Sequence, residues 1–432
     1  MRILIGTSVL WIALSAISDG VSTLVLPVRL GVGPDTPSAS FLGLVTFVGL
    51  IAAMLVQPLV GSISDRLRPR VGRHVFLAGG VVLVLVGLAA LAFADAPITV
   101  GIAFLWLSIA LSITQAPQQA LMPDLIPTER RGMAAGLKGF ADLLGAMIGF
   151  ALLGALLAGG DVRPALLALA VVIAALFGVV IVLLRRPASA GLPAGPLVGP
   201  SAGLPAGSSS ARSAAGLLDA YRLDLRQDAA FVRAVVARFA FLLGTYGVGR
   251  FLVAFVANRL RLDAGAAAEA AGGVLAVLAL VTAIGALPAG FLSDKWPRGP
   301  LMVAGAGASI LGVAAFAAAG ELTVIVLGGV LMAIGSALFT VANWATLVDL
   351  APGTEAGRYL GLANVGTAGA AAVAGLFGLL IDAADSLAPG TGFLALFAAS
   401  AVAMAVSGGL AMGLDRTHAA AVAEGSQPAA QG

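Results

Sequence analysis

Gly61-Ser62-Ile63-Ser64-Asp65-Arg66 is answered, half a chain further on, by Gly290-Phe291-Leu292-Ser293-Asp294-Lys295. Asp124-Leu125-Ile126-Pro127, followed by Gly132 and Gly136-Leu137, is answered by Asp349-Leu350-Ala351-Pro352, followed by Gly357 and Gly361-Leu362. The pairs come in the same order at nearly the same spacing, so the chain is one unit written twice. Charged residues make up 10% of the 432 and apolar residues 60%, where a soluble domain carries about 25% charged residues. Uncharged stretches repeatedly reach the ~20 residues that cross a hydrocarbon core. The duplicated unit is therefore a bundle of membrane helices.

Apolar runs bounded by charges and Gly/Pro predict twelve spans: 3–28, 41–63, 74–95, 98–120, 134–159, 163–185, 231–257, 266–292, 300–319, 322–346, 357–382 and 391–414. The expected organisation is an N-terminal six-helix bundle over 1–186, a linker over 187–229, a C-terminal six-helix bundle over 230–414 and a disordered tail over 415–432. The linker begins as a Pro/Gly/Ser/Ala segment that cannot bury a core and ends in Leu217–Asp228, which reads as a short surface helix. Arg2 and the apolar run after it pass beyond Asp19 to Pro27, longer than a signal-peptide core, so an uncleaved first span is expected. Of the 24 Lys and Arg residues, 17 fall on the side of both termini and four on the other. That asymmetry places both termini in the cytoplasm, for a chain in the cell membrane.

The pI of about 9.8 follows from these topology-setting loops and does not imply a nucleic acid. There are no cysteines and two histidines, which excludes thiolate sites and argues against a zinc site. No phosphate-binding G-x-x-x-x-G-K-[ST] and no H-E-x-x-H occurs. No enzyme activity, cofactor or metal is expected.

In the first repeated motif, Gly61 allows close helix approach, while Asp65 can accept helix N-terminal amides or pair with an arginine from another loop. Such a contact is either a latch that forms in one conformation only or a plain anchor at the interface. Gly61-x-x-x-Asp65-Arg66 with Gly72-Arg73, and the second copy at Gly290, Asp294 and Lys295, resemble the loop 2–3 and 8–9 signature of the major facilitator superfamily. The resemblance covers the whole chain. It implies an all-α membrane fold of twelve helices in two pseudo-symmetric six-helix halves, which rock about a central site to expose it alternately to either side. It also implies a gating role for those residues and for Asp124, Arg131, Asp349 and Arg358. Gln57 to Arg66 with Arg68, Arg70, Gly72 and Arg73, and Gln119 to Leu125 with Arg131-Gly132, are similar to glycoside–pentoside–hexuronide:cation symporters and sucrose carriers. Residues 41–63 lack the carboxylates of the sodium-coupled members.

The resemblance puts spans 1, 4, 7 and 10 around the cavity, and polar stripes agree with it. Ser15, Ser18, Asp19 and Ser22 share one face of span 1. Span 4 has Ser108, Ser112, Gln115 and Gln119; span 10 has Ser336, Thr340 and Asn343; span 7 has Arg238, Thr245, Tyr246 and Arg250. Such hydroxyls also serve plain helix packing. Charges within spans cost at least ~2.5–3.5 kcal/mol on insertion scales, so the ionisable groups weigh more. Asp19 and Arg250 either meet across the halves, gating the outer opening or holding an anionic group, or act locally as a cap and a snorkelling cation. Lys138 and Asp142, at i and i+4 in span 5, either neutralise each other or leave Asp142, like Asp19, to carry a coupling proton. Trp11, Trp106 and Trp344 are candidates for stacking on a solute. Span 5 carries Gly145, Gly149 and Gly154 without the Gly-Pro pairing of antiporters. The expected function is secondary transport of a small organic solute by a proton-coupled monomer bathed in membrane lipid. A drug exporter of the same fold and a non-transporting receptor are the alternatives.

Overall fold

The structure, a computed structural model, describes residues 2–30, 39–67, 73–125, 131–184, 228–351 and 356–414. Among them twelve helices are long and apolar enough to cross a membrane, and no strand occurs. Span 1 is continuous through Arg2–Gly20, a π-helical turn at Val21–Val25, and Leu26–Arg29. Spans 2 to 6 are Ala39–Leu67, Arg73–Phe93, Pro97–Leu125, Arg131–Leu157 and Val162–Leu184. Span 7 is broken into Ala229–Arg250 and Leu252–Leu260. Spans 8, 9, 10 and 12 are Ala264–Lys295, Arg298–Ala318, Leu322–Leu350 and Gly392–Met412, and span 11 is broken into Ala356–Ala374 and Phe377–Leu387. Of the expected linker only Asp228 and Ala229 are described, and the expected tail lies outside the described residues. Gly72, and the side chains of Gly61, Asp65, Arg66, Arg73, Gln119, Asp124, Arg131 and Arg358, also lie outside them.

Successive spans run in opposite directions, so one face of the bundle carries the start of span 1 and the end of span 12. We name this the terminal face and its opposite the far face. Span 8, at 32 residues, is about 48 Å long and overshoots a ~30 Å hydrocarbon core. The aspartates of the two Gly-x-x-x-Asp motifs, which the sequence placed just beyond spans 41–63 and 266–292, are consequently helical. Asp294-Lys295 ends span 8, and Asp65-Arg66 lies inside Ala39–Leu67. Gly290 has open space where a Cβ would stand, so this copy of the motif glycine brings no two helices together.

A third repeated feature was not visible in the sequence. Arg29 at the end of span 1 donates from Nη2 to the Ala92 carbonyl, and Arg259 at the end of span 7 donates from Nε to the Ala319 carbonyl. Each arginine covers the unpaired last carbonyls of span 3 or span 9 and meets the negative end of that helix dipole.

Lipid supplies no hydrophobic drive between helices, so close backbone approach through small residues holds the halves together internally. A Cβ at Gly145 or Gly149 would lie 2.4 or 2.6 Å from the Ile12 or Ala16 carbonyl oxygen, which seats span 1 on span 5. Gly305 and Gly335, and Gly312 and Gly328, do the same for spans 9 and 10. Between the halves, the tightest approaches lie toward the far face. A Cβ at Gly43 would stand 2.0 Å from the Gly375 oxygen, one at Gly378 2.0 Å from the Ala39 oxygen, and one at Gly265 2.7 Å from the Leu157 oxygen. The Ser40 amide donates to Asp382 Oδ2 at 2.9 Å, so a span 11 carboxylate caps the first turn of span 2. A cavity of about 470 Å³ lies near the terminal face.

Candidate functional site

Span 1 carries a device set by one residue. In the π-turn the Leu26 amide donates to the Val21 carbonyl. By the same i to i+5 pattern the Ser22 carbonyl would pair with residue 27, which is a proline and has no N–H. Arg250, buried at the break in span 7, fills the vacancy: its Nη1 donates to the Ser22 carbonyl at 3.1 Å. Asp19 lies within electrostatic reach of Arg250, although among the described residues no direct ion pair joins them. The expected approach of these two charges across the halves therefore takes place through the span 1 backbone.

Below this point the polar groups continue toward the terminal face. Asp142 Oδ2 accepts from Lys138 Nζ at 2.8 Å and its Oδ1 accepts from Ser15 Oγ at 3.0 Å, which ties span 5 to span 1. Lys138 Nζ also stands 4.1 Å from the Trp11 ring centroid. Asp142 in turn is within electrostatic reach of Asp19. On the opposite half, Tyr246 is within reach of Asp19, Arg238 and Arg250. Arg238 Nε donates to Thr367 Oγ1 at 2.9 Å, and its guanidinium lies 5.3 Å from the Trp344 ring centroid. The ionisable residues expected within spans 1, 5 and 7 thus form one network through the middle of the bundle.

Two cavities border it. One of about 200 Å³ is lined by Ser18, Ser22, Gln57, Ser112 and Gln115, and by Ala368 and Ala371 from the other half. The other, about 470 Å³, is lined by Arg238, Gly290, Ser293, Asp294, Thr340, Val341, Trp344 and Ala345. Gln115, Arg238 and Trp344 line these cavities, and Ser293 and Thr367 were not foreseen as site residues.

Two expected site residues face elsewhere. Trp106 is largely exposed on the outside of the bundle and donates from its indole to the Leu83 carbonyl at 3.1 Å, pinning span 4 to span 3. Asn343 is fully buried and donates to the Ala234 carbonyl at 3.0 Å, pinning span 10 to span 7. Near the terminal face, Asp349 of the second doubled motif pairs with Arg298, which starts span 9 three residues after the first motif ends. Lys295 lies over the Phe291 ring, its Nζ 4.0 Å from the centroid.

Similar folds are found among solved transporters. The crystal structure of a variant of the nucleoside transporter NupG aligns with a TM-score of 0.69 at 16% identity, covering 95% of this chain and 98% of that one. A bacterial homologue of the human lysosomal transporter Spinster, inward-facing and occupied, gives 0.68 at 14% identity over 99% and 98%. A D-xylose–proton symporter gives 0.67 at 16% over 94% and 96%. In sequence, 127 residues (28% of this chain) are 34% identical to the multidrug resistance protein Stp of Mycobacterium tuberculosis, and the match spans 22% of that protein's length. The sequence model of the Major Facilitator Superfamily matches residues 3–266 and 234–430. The chain thus belongs to the Major Facilitator Superfamily, a family of multi-pass membrane transporters rather than enzymes.

Proposed function

We propose that this chain is a secondary active transporter that moves a small organic solute across the cytoplasmic membrane by alternating access, with protons as the coupling ion. The observation that carries the reading is the mid-bundle network of Asp19, Asp142, Tyr246, Arg238 and Arg250. Ionisable groups at this depth are costly and mark solute or proton paths. Among the described residues the tightest cross-half approaches lie toward the far face, and the larger of the two cavities lies toward the other. The arginine-rich loops favour the terminal face as the cytoplasmic one, which makes this an inward-open arrangement. Ser40–Asp382 and Ser22–Arg250 act as latches of the outer gate.

The test is flux into liposomes carrying the purified protein, over a panel of small solutes, with and without an imposed proton gradient. Accumulation that follows the gradient and collapses with a protonophore is expected. Flux indifferent to both would remove the proton from the scheme. The likeness to Stp favours a second reading, efflux of toxic compounds. Under that reading, deletion sensitises cells to such compounds and vesicle transport runs outward.

A further inference from the structure

We propose that Arg238 and Ser293 form the recognition site for a small organic monoanion, whose oxyanion group they bind in the roughly 470 Å³ cavity beside Trp344. The inference rests on the transporter reading only for the ligand's being cargo. It begins with the pairing of cations in the spans. Lys138 is ion-paired with Asp142, and Arg250 faces Asp19. Among the described residues Arg238 has no carboxylate partner: its Nε meets a threonine hydroxyl, its plane meets an indole, and its Nη1 has no hydrogen-bond partner. An arginine left in this condition within a membrane bundle is expensive.

Ser293 carries the second, independent observation. It is 5% exposed, its Oγ also lacks a partner, and it borders the same cavity. Two unsatisfied donors from different helices on one cavity suit an acceptor that is absent from both. Arginine binds carboxylate and phosphate oxygens through charge-assisted bonds and in a fixed planar geometry. The volume falls in the range of small-molecule sites, and Thr340, Val341, Trp344 and Ala345 offer a mainly apolar wall for the rest of the solute. Asp294 stands at the exposed rim and, among the described residues, pairs with no cation. It disfavours a second negative group there, hence a monoanion.

The experiment is ligand-dependent thermal stabilisation of the purified full-length protein in detergent. The probes are benzoate, the monoanionic diester methyl phenyl phosphate, neutral benzamide and cationic benzylamine. Benzoate or methyl phenyl phosphate is expected to stabilise saturably, with benzamide and benzylamine at least about tenfold weaker. Which of the two anions is preferred identifies carboxylate or phosphate as the recognised group. Arg238→Gln should weaken the anion by about tenfold or more, Ser293→Ala by several-fold, and Arg238→Lys less than Arg238→Gln. Arg163→Gln, a change at the far face, should leave binding as it is. If benzamide equals benzoate, if no anion stabilises, or if Arg238→Gln binds anions as the parent does, the proposal is overturned. The readout needs no membrane and no flux. Anion binding without transport in liposomes would therefore sink the transporter reading and leave this one standing.

Discussion

Pro27 is an ordinary-looking proline near the end of an apolar run, yet its missing N–H gives Arg250 a partner on the other half of the molecule. The two residues should therefore be energetically coupled. Arg250→Ala leaves the Ser22 carbonyl buried without a donor when the far face is closed, a cost of about 1–3 kcal/mol. Pro27→Ala supplies an amide that can take over that carbonyl, so Arg250→Ala in the Pro27→Ala background should cost less. The chain has no cysteine, and Thr46 is fully buried beside Gly375 under the far-face seal. Thr46→Cys would be the only thiol present, and its labelling from the far side by an impermeant maleimide reports opening. Labelling should rise several-fold or more with Arg250→Ala and by a smaller factor when Pro27→Ala is added. Additive effects would deny the coupling. Asp19 adds a second check: exchanging the charges at Asp19 and Arg250 should restore some of the transport that either single reversal removes.

Helices were legible where charge is scarce and hidden where geometry turns on a single bond. Twelve spans follow from composition, and the ionisable network follows from the high cost of charge in lipid, because both signals survive averaging along a helix. The side that a polar residue faces does not. Trp106 and Asn343 lie on cavity helices but point away from the cavity, since a stripe records periodicity and leaves its absolute orientation open. The π-turn of span 1 and the breaks at Phe251 and Gly375 have no strong sequence signature, because neighbouring helices supply the partners that permit them. The glycines divide in the same way. Gly378→Ala would drive a methyl group into the Ala39 carbonyl across the halves, whereas Gly149→Ala would drive one into the Ala16 carbonyl within a half. The first should keep the far face from closing, raising Thr46→Cys labelling while the melting temperature stays near that of the parent. The second should lower the melting temperature with little effect on the balance between open and closed. Gly139→Ala, with open space beside it, should change neither.

At the scale of the molecule, the doubled motifs and the doubled Arg29 and Arg259 caps show two halves built on one frame. Within each half, glycine-to-carbonyl packing leaves little room for sliding. Between the halves, packing of that tightness lies, among the described residues, toward the far face, so the rocking scheme calls for a rigid rotation that parts the halves there. If transport requires that rotation, fastening the far face must stop it. Ser40 and Asp382 sit in hydrogen-bond contact across the halves, and a chain without cysteine makes the double variant Ser40→Cys/Asp382→Cys a clean site for a short thiol crosslinker. Before crosslinking, the variant should transport more weakly than the parent, since a latch has been removed. After crosslinking, solute flux in liposomes should fall to background while anion binding in detergent persists, because the cavity near the terminal face stays open. Cleaving the link with reductant should restore the flux. Continued transport by fully crosslinked protein would mean that the halves need not part at the far face, and the rocking scheme would have to be abandoned.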